Sequence, residues 1–161
     1  MKNFNSRILI VEDDLNLLHY LKEFFADDFD QVVTACDGIS AYLSLQEGMP
    51  DVILTDLHMP GFDGIEFITR LRADGHDTPV ILASNNVDSE HLKKAIKLGV
   101  VDFLEKPYND NDLMKAVYRV VQISSREYEL PALAKKFGED SIEVKKHQKM
   151  IGLLKAMSSK K

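Results

Sequence analysis

The chain has 161 residues, 45% apolar and 29% charged, with a formal net charge of −6. That length suits one compact domain with a real core, and apolar runs such as Ile8 to Val11 are too short to span a bilayer. The charge is uneven, with 21 acidic and 11 basic residues in 1–124 against 5 and 9 in 125–161, so the body is a poor match for direct contact with nucleic acid.

The start, MKNFNSR, has no apolar segment behind it, which argues against a secretory signal. The single cysteine, Cys36, cannot form an internal disulfide, which fits a reducing cytoplasm. It reads as a small buried residue in a strand.

In chain order, RILIVE (7–12) is the first strand, and Leu17, Leu18, Leu21, Phe24 and Phe25 follow at helical spacing. QVVTA (31–35) is the second strand, and segment 39–47 is a weakly marked helix with Ile39, Tyr42 and Leu43 at helical spacing. DVILTD (51–56) is the third strand, followed by Ile65, Ile68 and Leu71 on one helical stripe. PVILAS (79–84) precedes a helix carrying Leu92, Ala95 and Ile96, capped by Asp88 or Ser89. VDFLEK (101–106) precedes one carrying Leu113, Val117, Val120 and Val121, capped by Asn109 or Asp110.

Runs without alternation suit strands covered on both faces, and five βα units in a row argue a doubly wound α/β parallel sheet. The pattern stops near Ser124. Residues 5–124 therefore read as the domain and 125–161 as a helical extension. The extension holds a short helical candidate, Ala132 to Phe137, with Gly138 closing it, and a last segment from Ser141. In that segment Met150, Ile151, Leu154 and Met157 form a stripe that either packs on the domain or joins two copies.

Ligands of such sheets bind outside the carboxyl ends of the strands. There the sequence gathers Glu12 and Asp13 at the end of strand one, Asp56 at the end of strand three, Ser84 at the end of strand four and Lys106-Pro107 at the end of strand five. Singly, each is an ordinary turn or cap residue. Together they are carboxylates that repel one another unless a cation neutralises them, and oxygen-only ligands favour a hard ion such as Mg²⁺. An Asp beside such an ion is a nucleophile toward phosphorus.

The segments ILIVEDD, DVILTDLHMPGFDG, PVILAS and DFLEKP resemble, in order and spacing, the receiver domain of two-component response regulators. The resemblance covers about residues 5–124. It implies a flavodoxin-like sheet of strand order 2-1-3-4-5 flanked by five helices. It also implies that Asp56 accepts a phosphoryl group from a sensor histidine kinase or phosphotransfer protein, with Mg²⁺ held by Asp13, by Glu12 through water, by Asp56 and by the backbone carbonyl of His58. Ser84 matches the switch hydroxyl, Phe103 the switch aromatic and Lys106 the lysine that pairs with the phosphoryl group. A cis bond is implied at Lys106-Pro107, and an output surface for a downstream protein at helix four, strand five and helix five. Such a protein is a signalling component and not an enzyme acting on outside substrates. Three positions depart from or vary within the pattern: Asn85 stands where a very small residue is usual, and His58 and Asn86 occupy the two variable positions that tune phosphoryl lifetime.

Two other readings compete. A Mg²⁺-dependent phosphohydrolase on a similar sheet needs a second acid two residues past its nucleophile, and here that residue is His58. A receiver fragment of a larger DNA-binding regulator requires a longer native chain, because 125–161 is too short for a winged-helix domain.

Overall fold

The computed structural model describes residues 4–86 and 88–122, together with 139, 141–142, 144–145, 148–149 and 151–152. Five parallel strands, β1 (Phe4–Val11), β2 (Phe29–Ala35), β3 (Val52–Asp56), β4 (Val80–Ser84) and β5 (Asp102–Glu105), form one sheet in the order β2-β1-β3-β4-β5. The helices are α1 (Leu15–Phe25), α2 (Gly38–Ser44) running into a 3₁₀ turn (Leu45–Glu47), α3 (Gly64–Ala73), α4 (Ser89–Lys97) and α5 (110–122). The expected fold class and strand order are both found.

Strand alternation splits the core into two layers. Ile8 and Ile10 of β1, Leu54 of β3 and Ile81 of β4 pack with Leu18, Leu21 and Phe25 of α1 and with Leu113, Val117, Val120 and Val121 of α5. Their neighbours Leu9, Val11, Ile53 and Leu82 pack with Ala41 of α2, Phe67, Ile68 and Leu71 of α3, and Ala95 of α4. Every residue of β3 and of β4 is buried, which is why those runs show no polar alternation.

Acidic and amide caps start the helices where the backbone N–H groups have no partner. Asp14 Oδ1 accepts from the Asn16 and Leu17 N–H groups and so caps α1. Asp63 and Glu66 form a reciprocal capping box on α3. Asp88 caps α4, and Asn109 caps α5 through the Asp112 N–H at 2.9 Å.

Several expectations fail in detail. β1 ends at Val11 and β5 at Glu105, so Glu12, Asp13 and Lys106 lie in the loops just past the strands. Ile39 and Leu43 of α2 are about 60% exposed, while Gly38 and Ala41 face inward. Leu92 and Ile96 of α4 are also exposed, and Cys36 lies exposed just after β2. In the extension, Ser141 Oγ accepts from the Val144 N–H at 3.3 Å at the start of a helical stretch, with Val144 and Ile151 buried. The expected boundary near Ser124, the 132–137 helix and Met150, Leu154 and Met157 lie outside the described residues.

Candidate functional site

With β1 and β3 central and all strands parallel, the loops after β1, β3, β4 and β5 emerge at one edge. Glu12 and Asp56 are nearly buried there, at 3% and 6% exposure, while Asp13 is exposed. Lys106 reaches between the first two: its Nζ donates to Glu12 Oε2 at 2.6 Å and to Asp56 Oδ2 at 2.7 Å. The other Asp56 oxygen, Oδ1, accepts from the His58 N–H at 3.0 Å.

Oxygens of Glu12, Asp13 and Asp56 lie within 4.8 Å of one another. Three carboxylates against one ammonium leave two negative charges uncompensated, and the donor set is oxygen only, so the residues fit a hard divalent cation. Burial raises the Glu12 pKa above its ordinary value, against the pull of the Lys106 hydrogen bond and charge. At Lys106 burial opposes the charged form, but the hydrogen bonds and charges of Asp56 and Glu12 outweigh it and hold the pKa above the ordinary lysine value.

The loop after Asp56 turns back tightly on itself. A Cβ at Gly64 would stand 2.2 Å from the Asp56 carbonyl oxygen and 3.1 Å from Leu57 Cα, so glycine alone fits there. The Gly64 N–H also bonds the Leu57 carbonyl at 3.0 Å. Gly64 thus lets the start of α3 pack directly against the backbone of Asp56 and Leu57.

Ser84 is fully buried, and its hydroxyl donates to the Asn86 carbonyl at 2.8 Å. Phe103 is partly buried against the second core layer and lines a 380 Å³ groove with Asn86, Leu92, Leu104 and Glu105. The Lys106-Pro107 bond is cis. The structure thus brings Glu12, Asp13, Asp56 and Lys106 together and sets Ser84 at the adjoining strand end, with Phe103 on β5 beside the β4–α4 loop.

Two contacts at this edge were not read from the sequence. The Tyr108 side chain senses the charges of Lys106, Glu12 and Asp56, and burial pushes its phenol up to about 12. Its position two residues past Lys106 was the available signal. The His58 ring, whose Nε2 donates to the Asn86 carbonyl at 3.0 Å, had no such signal, because that partner is 28 positions away.

Fold and edge together define a flavodoxin-like receiver domain. The family model for the response regulator receiver domain matches residues 8–118. The chain belongs to that family.

Its relatives include the transcriptional regulatory protein FixJ of Bradyrhizobium diazoefficiens, 30% identical over 95% of this chain and 76% of FixJ. Another is the transcriptional regulatory protein KdpE of Staphylococcus aureus, 35% identical over 73% of this chain and 50% of KdpE. Among solved structures, chemotaxis protein CheY4 of Vibrio cholerae superposes with a TM-score of 0.67 at 28% identity, covering 73% of this chain and 99% of CheY4. The N-terminal domain of an uncharacterized protein from Wolinella succinogenes superposes with a TM-score of 0.71 at 35% identity, covering 75% of this chain and 98% of that domain. Among the described residues, no helix is long and apolar enough to cross a membrane.

Proposed function

We propose that this receiver accepts a phosphoryl group on Asp56 from a sensor histidine kinase or phosphotransfer protein and converts it into a change of protein-interaction surface. The observation that carries this reading is the Lys106 ammonium shared between Asp56 and Glu12 at 2.7 and 2.6 Å. A buried carboxylate so held is fixed in place at the mouth of an acidic edge.

Glu12, Asp13, Asp56 and the His58 backbone carbonyl would hold Mg²⁺, which supplies charge neutralisation for the transferring phosphoryl oxygens. In the transfer, a lone pair of an Asp56 carboxylate oxygen forms the new bond to phosphorus. The P–N bond to the donor imidazole breaks, and its electron pair returns to that ring. Lys106 directs N–H donors toward a phosphoryl oxygen, and Ser84 offers its hydroxyl to another. Movement of Ser84 gives Phe103 room to turn inward, altering the surface of α4, β5 and α5. The extension is assigned to packing on the domain or to pairing two copies.

The test is intact mass after incubation with acetyl phosphate and Mg²⁺, beside Asp56→Asn and an EDTA control. The expected result is one phosphoryl adduct, absent from both controls. No adduct on folded protein sinks the proposal, and repeated turnover of small phosphate esters would favour a phosphohydrolase instead.

A second reading, the receiver part of a longer transcriptional regulator, is favoured by the match covering only 50% of KdpE and 27% of the regulatory protein AtoC of Escherichia coli. The mass of the native protein in its own cell distinguishes the two.

A further inference from the structure

The Asn86 carbonyl accepts two hydrogen bonds at once, from Ser84 Oγ at 2.8 Å and from His58 Nε2 at 3.0 Å. A carbonyl only accepts, so the His58 ring carries its proton on Nε2. The Asn86 N–H returns a bond to Ser84 Oγ at 3.2 Å. One loop residue therefore engages the Ser84 hydroxyl as donor and as acceptor. The His58 ring also meets the His91 ring edge-on, centroids 5.6 Å apart, and His91 Nδ1 is 2.7 Å from Asp88 Oδ2, the carboxylate that caps α4. The side chain two residues past Asp56 thus grips the β4–α4 loop at its carbonyl and at the first turn of α4.

Resting on the phosphoacceptor reading, we propose that His58 is a positioning residue. Its Nε2–H fixes the Asn86 carbonyl where it captures the Ser84 hydroxyl, so that a phosphoryl oxygen must compete with that carbonyl for the same proton. The effect is a population shift: a ligand that needs Ser84 released binds with an affinity scaled by the fraction of molecules in which the hydroxyl is already free. Loss of the His58 donor frees the carbonyl to move and raises that fraction. One neutral hydrogen bond corresponds to about a two- to twelvefold change in affinity.

The test is a titration of the full chain with beryllofluoride, a stable stand-in for the phosphoryl group, in the presence of Mg²⁺. Backbone amide NMR follows binding in the wild type, His58→Leu, His58→Gln, Ser84→Ala and the double variant His58→Leu/Ser84→Ala. The expected result is an about two- to twelvefold lower Kd for His58→Leu. His58→Gln, whose side-chain amide can still donate to the carbonyl, should behave as wild type. In the Ser84→Ala background the His58→Leu gain should vanish, because no hydroxyl is left to release. The proposal is overturned by an unchanged or weaker affinity in His58→Leu, by His58→Gln behaving as His58→Leu, or by a gain that persists without Ser84. Failure of the wild type itself to bind beryllofluoride overturns the phosphoacceptor reading and this proposal together, whereas wild-type binding with an unaltered His58→Leu overturns this proposal alone.

Discussion

Lys106 stands 2.7 Å from Asp56, its ammonium the counter-charge for a carboxylate that solvent barely reaches. The same ammonium serves Glu12 at 2.6 Å. Taking it away leaves two nearly buried carboxylates facing each other, a far greater loss than that of a surface pair. Lys106→Met should cost about 3 kcal/mol of stability without divalent cations. Added Mg²⁺ should then recover more of the melting temperature in the variant than it adds to the wild type, since binding the folded state alone stabilises it. Thermal melts with and without Mg²⁺ decide this, and a variant that melts with the wild type under both conditions refutes it.

Glu12 gives the opposite sign. Burial holds its folded pKa above the ordinary 4.5, so the fold favours the protonated form. Its contribution to stability is therefore complete below pH 4.5 and is lost as pH rises through the folded value. Glu12→Gln, a permanently neutral mimic, should raise the metal-free melting temperature at pH 7 by about 2–4 °C. The gain should disappear at pH 4, where the wild-type side chain is itself largely neutral. A gain that is independent of pH would contradict the assignment.

At Gly64 the limit is steric. A methyl group there would stand 2.2 Å from the carbonyl oxygen of Asp56, so the Asp56 backbone or the start of α3 must move. Gly64→Ala should cost about 2–3 kcal/mol. If Asp56 is the acceptor proposed above, acetyl phosphate labelling of the molecules that remain folded should also slow, because that carboxylate is displaced. A denaturant midpoint equal to wild type would show that the loop yields freely.

The Tyr108 hydroxyl is buried with no hydrogen-bond partner among the described residues. Tyr108→Phe removes that oxygen and should stabilise the protein by about 0.5–1 kcal/mol, read from chemical denaturation. Ultraviolet titration should lose the tyrosine ionising at about 12. The sign follows from the upward shift: the phenol's contribution is complete below its ordinary value of 10.0 and is lost as pH rises toward about 12. Destabilisation by Tyr108→Phe would mean that the hydroxyl has a partner.

The sheet and its edge were legible in the sequence because buried parallel strands write themselves as unbroken runs, and the residue after each run lands at the same edge. Asp56 and Ser84 lie at the strand ends where expected, and Glu12 and Lys106 just past theirs. Periodicity misled at α2, where Ile39, Tyr42 and Leu43 suggested an inward face. The true inner face is made of Gly38 and Ala41, and Gly38 is so close to the Phe62 carbonyl that a Cβ would meet it at 2.4 Å. Small residues that permit close approach carry no hydrophobic signal. From the sequence, His58 is expected to act as a ligand through its backbone carbonyl alone; the reach of its ring to Asn86 depends on how two loops lie against each other, which spacing does not encode.

Glu12 and Lys106 are separated by 94 positions, and the strands that precede them are not even neighbours in the sheet. Asp56 therefore has its ammonium only when β5 has docked on β4 and the domain is closed. A chain still emerging from the ribosome, or one clipped before residue 106, carries the Asp56 and Glu12 carboxylates without that ammonium. Completion of the sheet and assembly of its charged edge are one event.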